Sequence, residues 1–365
     1  MRIAQVAPLY ESVPPRLYGG TERVVSWLTE ELVRQGHDVT LFASADSLTN
    51  ANLIALCPQA LRLDPNCWDP IAHHIHQIEQ VLQHRDEFDV VHFHIDYLHF
   101  PTSRRQELPN VTTLHGRLDI PDLASLFREF SDMPVVSISD AQRQPLPWIN
   151  WQGTVHHGMP EDKFIPSYDS GKYLAFLGRI SPEKGADEAI KIALRAGMPL
   201  KIAAKVDRKD EDYFENHIKP LLNSSLIEFV GEISDLEKNR FLGNASALLF
   251  PINWCEPFGI VLIEAMACGL PVVAYPLGSV PEIIEDGVSG SVVHNVEEAA
   301  AALKNLPSVD RRKCRRAFEE RFSVKRMAKD YLAIYDRIIK SEPESLALTD
   351  GDLKWMKLAP PSSTT

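Results

Sequence analysis

CEPFGIVLIEAMACGLPVVAY, residues 255–275, sets two carboxylates, Glu256 and Glu264, eight positions apart in a segment that is otherwise almost wholly apolar. A buried carboxylate is costly unless it is paired or hydrogen-bonded, so a segment meant only for packing would not carry two. The preceding ALLFP (247–251) reads as a strand and INWCEP as a loop. Pro257 suits a helix start, and from Phe258 the run reads as a helix closed by Gly269. Glu256 then lies just outside the helix N-terminus and Glu264 about two turns inside it, roughly 12 Å away at 1.5 Å rise per residue. Between them, the free N–H groups at Phe258, Gly259 and Ile260 suit an anion.

A nucleotide-diphosphate sugar has that layout: sugar hydroxyls, a diphosphate, then a ribose diol. A carboxylate accepts from two hydroxyls with charge-assisted strength, which suits Glu256 to the sugar and Glu264 to the ribose. The competing reading makes Glu256 a helix flank and pairs Glu264 with an Arg or Lys. Spacing alone leaves both open.

Outward from this segment, short apolar runs alternate with longer helical stretches. IAQVA, the amphipathic GTERVVSWLTEELVRQG and DVTLFA read as strand–helix–strand. Further strands are expected at 89–94, 111–114, 134–139 and 153–157, then at 173–179, 200–206, 226–231, 247–251, 271–275 and 289–293. Such alternation implies parallel strands with helices on both faces, an α/β fold. GMPEDKFIPSYDSGK (158–172) breaks the rhythm and reads as an interdomain linker. The expected division is an N-terminal domain over 1–160, a C-terminal domain over 161–322, a last helix at 323–340, and a polar tail at 341–365. Two doubly wound domains of this kind face each other across a cleft, and ligands sit beyond the carboxyl ends of their strands.

Charge narrows the partners. The 365 residues carry 38 Lys and Arg against 50 Asp and Glu, a net charge of −12. Residues 1–165 hold 12 of the cations and 21 of the acids, so −9 of the total lies in that half. Such a surface repels nucleic acid and anionic lipid, so neither is expected as a partner. No apolar run approaches the roughly 18 residues of a spanning helix, and MRIAQVAPLYE reads as a first strand rather than a secretory signal. Five cysteines without a C-x-x-C fit reduced thiols and a cytoplasmic location.

E-x7-E, here Glu256-PFGIVLI-Glu264 followed by EAMACGLPVVA, resembles the C-terminal-domain motif of retaining glycosyltransferases with the GT-B fold, most of all the family-4 branch. Four further strings extend the resemblance over nearly the whole chain. YGGTER (18–23) opens a helix after the first strand, and the resemblance places Gly19 and Gly20 near the donor diphosphate. GRISPEKG (178–185) supplies Arg179 and Lys184, two cations that can stabilise a departing diphosphate without a metal. TTLHGRLD (112–119) ends a strand at His115, which the resemblance turns toward the donor sugar near the reacting carbon. EFVGEIS (228–234) places Gly231 where the family reads the base through backbone.

The resemblance thus implies hexose transfer with retention from a nucleotide sugar, UDP-glucose first and GDP-mannose second, by front-face attack and with no metal or other cofactor. His115, Arg179, Lys184 and Glu256 are the catalytic candidates; Gly19, Gly20, Gly231, Phe258, Gly259, Ile260 and Glu264 are the donor-binding ones. A small soluble acceptor is expected around Pro14–Tyr18, Asp96–Phe100 and Gly116–Asp122. Trp148 and Trp151 could stack on it, though packing is the plainer role.

Other readings fit less well. A dinucleotide oxidoreductase wants G-x-G-x-x-G, which YGGTER lacks. A sugar-nucleotide epimerase shares the fold but needs no acceptor, and a non-catalytic sugar-nucleotide binder need not keep all five of the charged and imidazole groups. His92 and His94 share a strand face but bring no third ligand for zinc. The acidic triplet 210–212 reads as a helix start, where carboxylates complement the dipole, rather than as a metal-binding D-x-D.

Overall fold

Runs of β-branched and aliphatic residues too short for helices pair side by side into two parallel sheets. In the computed structural model, which describes residues 1–17, 19–106, 108–169, 171–305 and 309–340, the strands of the first sheet are β1 (Arg2–Val6), β2 (Asp38–Ala43), β3 (Asn52–Ala55), β4 (Val90–Phe93), β5 (Asn110–Thr113), β6 (Val135–Ser137) and β7 (Trp151–Thr154). Their order is β3-β2-β1-β4-β5-β6-β7. The second sheet holds β8 (Tyr173–Ile180), β9 (Leu200–Val206), β10 (Ile227–Gly231), β11 (Ala245–Phe250), β12 (Val272–Ala274) and β13 (Gly290–Val292), in the order β10-β9-β8-β11-β12-β13.

All the pairings are parallel, and both orders reverse at the first strand of the sheet. These are two doubly wound Rossmann-like α/β units, as the alternation of runs led us to expect. β3 was not among the expected strands. It is an edge strand, half-buried at best, although its run LIALC (53–57) is as apolar as those of its neighbours.

Between the sheets the chain runs without regular structure from Val155 to Pro166 and beyond, in the segment read as a linker. Met159 N–H donates to Phe322 O, and Val324 N–H donates back to Met159 O, both at 2.9 Å. Here a Cβ on Gly158 would fall 2.4 Å from Ser323 O, so only glycine permits this approach. Just beyond, the helix Val324–Lys340 turns back onto the first sheet, packing on the helix Gly20–Arg34 and on β4 and β5. Tyr331 and Tyr335 drive into that interface with 1% and 0% of their surface exposed. Each such aromatic contributes on the order of 2 kcal/mol through burial alone. The tail at 341–365 and the acceptor candidate Tyr18 lie outside the described residues.

Candidate functional site

The reversal in strand order opens a crevice at the carboxyl ends of β1 and β4 in one sheet and of β8 and β11 in the other. The two crevices face each other and enclose a cavity of about 820 Å³ lined by both halves of the chain. Its walls include Gly19, Gly20 and His115 from the first unit, and Arg179, Lys184, Glu256, Phe258, Gly259, Ile260 and Glu264 from the second. Residues scattered over some 250 positions thereby meet at one site, ten of the eleven candidates among them.

Gly231 is the exception. It ends β10 with φ of 84°, and its neighbours Glu232 and Ile233 line the cavity in its place.

The segment with the two carboxylates departs from the expected helix. The regular helix begins at Ile260, not Phe258, because Gly259 adopts a left-handed conformation (φ 78°). Glu264 therefore stands in the second turn of a short helix, and Glu256 belongs to a separate loop. The rise of 1.5 Å per residue does not connect them. That loop is held by its neighbours: Ser279 N–H donates to Glu256 O at 3.0 Å, and Ser279 Oγ donates to Phe258 O at 2.8 Å. At Gly278 (φ 58°) a side chain would strike the Glu256 backbone at 2.3 Å.

Every charged candidate has a partner. Lys184 is ion-paired to Glu256 and lies 4.9 Å from the centre of the Trp254 ring. Arg179 reaches Glu183 at 2.6 Å and Asp207 at 3.7 Å, while its Nε is buried without a partner. Glu264 pairs with Lys238 at 2.8 Å, the partner that the competing reading allowed for. Lys238 also reaches Asp235 at 3.3 Å, and Asp235 binds Arg23 of the first unit. Pairing lets these charges stand in a half-enclosed cleft without an unmatched buried ion. A bound ligand has lone pairs and N–H groups left to use on both carboxylates and both cations.

The opposite wall adds Arg23, Arg62 and Arg117 and a cluster of neutral imidazoles. His115 lies 2.9 Å from His94, and its ring stacks on His157 with centroids 5.3 Å apart. Burial lowers the His115 pKa to about 3 and drives those of His94 and His157 well below the usual imidazole value. All three are neutral at physiological pH. Asp96 opens into the same cavity with a positive φ of 51°, rare outside glycine. Crowding by surrounding protein pushes its carboxyl up to about 6. Glu22, in the first turn of the Gly20–Arg34 helix, also lines the cavity, and burial raises it to about 7.

Sequence reasoning missed several of these residues. Trp254 sits inside the loop INWCEP, and its role under Lys184 has no local signature. Lys205 and Lys238 add cations to the cavity wall. Conversely, Trp148 and Trp151 do not line it: Trp151 donates its Nε1–H to Leu146 O at 2.9 Å and carries Arg143 on its face. The acidic triplet 210–212 likewise lies off the cavity, straddling the junction of two short helical turns. Among the described residues, no group of three or more His, Cys, Asp and Glu is placed to hold a metal. Also among them, no helix is long and apolar enough to cross a membrane.

Two family models match the chain. Residues 18–151 fit the model of Glycosyltransferase Family 4, and residues 160–321 fit that of Glycosyl transferases group 1. A phosphatidyl-myo-inositol mannosyltransferase of Mycolicibacterium smegmatis is 26% identical over 343 residues, 83% of this chain and 84% of its own. Among solved structures, the sucrose-phosphate synthase of Thermosynechococcus elongatus superposes with a TM-score of 0.77 over 94% of this chain and 100% of that one, at 17% identity. The Anabaena protein Alr3699/HepE, solved with UDP and glucose, gives 0.71 over 92% and 100%, at 18% identity. At such identities the superpositions speak for the fold alone. With family models matched on both sides of the cleft and the GT-B architecture around it, the chain is a GT-B glycosyltransferase of the group 1 and family 4 kind.

Proposed function

We propose that the chain moves a hexose from a nucleotide-diphosphate sugar to a hydroxyl acceptor with retention of anomeric configuration. One observation carries this reading. Arg179, the Lys184–Glu256 pair, the amides opening the Ile260–Ala267 helix and Glu264 line one wall of a single cavity, facing Gly20 and His115 on the other. The ribose diol fits Glu264, the diphosphate fits the helix start with Arg179 and Lys184, and the hexose fits between Glu256 and His115. Lys238 beside Glu264 adds a cation close to where the ribose and diphosphate join.

In the reaction the bond from the anomeric carbon to the phosphate oxygen breaks. The bond to the acceptor oxygen forms on the same face, and the acceptor proton passes to the departing phosphate oxygen. Arg179 and Lys184 stabilise the charge that grows there, in a site where fixed cations act more strongly than in water. This supplies the positive charge that a metal would otherwise bring, so we expect no metal requirement. His115, neutral, can exchange a hydrogen bond with a sugar hydroxyl but cannot add charge. The acidic first half favours a small soluble acceptor over an anionic lipid surface. UDP-glucose is the first donor to try, given the UDP and glucose bound by the Anabaena protein. GDP-mannose is the second, given the mannosyltransferase relative. A reducing, cytoplasmic setting suits five cysteines that are all unpaired.

The test is a panel of nucleotide sugars incubated with the protein, alone and with soluble polyols, sugars or phosphoinositide vesicles, followed by release of nucleoside diphosphate. One donor turned over, with an α-linked product from an α-linked donor by NMR, is the expected result. Release of free sugar 2-epimer, or binding without turnover against every acceptor, would favour the epimerase or the non-catalytic binder instead.

A further inference from the structure

Beneath the cleft runs a buried chain of hydrogen bonds that the reaction as described does not use. It starts at His115, whose Nε2 lies 2.9 Å from His94 Nδ1. His94 Nε2 lies 2.9 Å from Gln5 Oε1, and Gln5 Nε2 donates to the Tyr335 hydroxyl at 3.1 Å. That hydroxyl is 2.7 Å from His92 Nδ1, and His92 Nε2 is 2.7 Å from Thr113 Oγ1. Gln5, His92 and Tyr335 are 0% exposed and His94 2%. Tyr335 belongs to the last described helix, beyond the second sheet, yet it bonds two strands of the first.

The chain has a direction. A neutral imidazole has one N–H and one bare nitrogen, and which is which follows from the partners. The Gln5 carbonyl oxygen only accepts, so His94 carries its hydrogen on Nε2. Its Nδ1 is then bare, and His115 must supply the hydrogen of their bond from Nε2. His115 Nδ1 is left bare, and that atom is buried without any protein partner on a residue lining the cavity. At the far end, with His92 carrying its hydrogen on Nε2 toward Thr113, its bare Nδ1 takes the Tyr335 hydrogen, so the hydroxyl shows Gln5 only lone pairs and the amide meets it with its NH2 group. Were the amide reversed, every bond back to the cleft would reverse with it, and His115 would offer a donor where it now offers an acceptor.

We propose that Tyr335, acting through Gln5 and His94, is a positioning residue that fixes His115 in its Nε2–H tautomer, so that Nδ1 accepts a hydrogen bond from a hydroxyl of the donor sugar. The sugar contact rests on the glycosyltransferase reading above; the tautomer does not. The last helix is thereby tied to the chemistry of the first domain, besides packing against it.

The test uses the full chain with 15N-labelled histidine, with the His115 signal assigned through His115→Asn. Two-bond nitrogen–proton couplings distinguish the tautomers directly. Wild type is expected to show His115 as Nε2–H alone, and Tyr335→Phe a mixture of both forms. Tyr331→Phe is the control: it removes a hydroxyl from the same helix whose bond, 2.8 Å to Thr113, lies beyond His92 and off the Gln5 branch. It is expected to leave the tautomer unchanged. If Tyr335→Phe does not fold, Gln5→Met, of similar volume and without polar atoms, is expected to give the same mixture. Turnover should fall about tenfold in Tyr335→Phe, while nucleoside diphosphate affinity stays within about twofold. An Nδ1–H form in wild type, or pure Nε2–H in Tyr335→Phe and in Gln5→Met, overturns the assignment. A mixed tautomer with unchanged turnover overturns the sugar contact, whatever becomes of the overall reaction.

Discussion

The two walls of the cleft come from sheets wound in the same order and differ in chemistry. The C-terminal wall is built from matched charges: Lys184 with Glu256, Arg179 with Glu183 and Asp207, Lys238 with Glu264. Its N-terminal counterpart also carries charge, at Arg23, Arg62 and Arg117, but it alone holds a cluster of buried neutral imidazoles, His94, His115 and His157, beside its glycines. One topology therefore places a crevice without choosing its chemistry; the loops that follow the strands choose it. Paired charges suit the part of a substrate that is ionic and leaves, and neutral imidazoles the part that is uncharged and transferred.

The contrast can be broken most forcefully on the charged wall. Lys184→Ala and Arg179→Ala should each cut turnover about a hundred- to a thousandfold, the usual cost of one preorganised charge at a developing anion. Donor affinity should change much less, since only stabilisation gained in the transition state raises the rate. Steady-state kinetics with calorimetric donor binding checks this. If both variants raised the Michaelis constant and kept the turnover of wild type, the leaving-group role would fall.

Glu264→Ala should weaken binding of free nucleoside diphosphate roughly ten- to a hundredfold, through loss of a charged hydrogen-bond partner worth about 1.5–3 kcal/mol. Because Lys238 loses one of its two carboxylate partners in that variant, Lys238→Ala and the double variant are needed to isolate the ribose contact. Unchanged affinity would return Glu264 to an ion pair that holds the fold.

The buried imidazoles make a prediction of their own about acid. Burial lowers the pKa values of His92, His94, His99, His115 and His157. Unfolded, each returns to about 6.5 and binds a proton that the folded state refuses. Below that pH the unfolded chain holds more protons, so stability is intact above about 6.5 and is lost as pH falls. Each such histidine removes up to about 1.4 kcal/mol per pH unit there. Thermal unfolding between pH 7.5 and 5 should show the midpoint dropping steeply, and less so in His99→Asn. Its Nδ1 and Nε2 bond Ser103 and Thr112 away from the cleft. A midpoint flat across that range would mean these imidazoles are not buried in solution.

Chelation should have the smallest effect. With Arg179 and Lys184 already at the cavity, EDTA is expected to change the rate less than about twofold, under 0.5 kcal/mol in barrier. Loss of activity with rescue by Mg²⁺ or Mn²⁺ would show that the charged wall needs a metal after all.

Much of the frame is legible locally because each piece is local. Parallel strands covered on both faces are rich in apolar residues, and LKIAAKV and DVTLFA match β9 and β2 residue for residue. The edge strand β3 was missed although LIALC (53–57) is as apolar, because a short run of that kind fits a loop or a helix turn equally well. Likewise, Arg179 at the end of β8, Lys184 just after it, and Gly19 and Gly20 at the start of the helix that follows β1 announce themselves by their place, where a doubly wound sheet puts its ligand. The start of the Ile260–Ala267 helix was misjudged by two residues, because the left-handed turn at Gly259 depends on how Gly278 and Ser279 grip the loop.

The amino-acid sequence by itself determined the two α/β units, the loops at their strand ends and the residue types in those loops, since periodicity and turn chemistry act over a few neighbours. Tertiary structure alone decided the partnerships. Lys238 meets Glu264 from 26 positions away, and Tyr335 meets Gln5 from 330. Those pairings exist only once both sheets and the returning helix are packed, because a hydrogen bond or ion pair depends on distance in space and leaves no periodic trace along the chain.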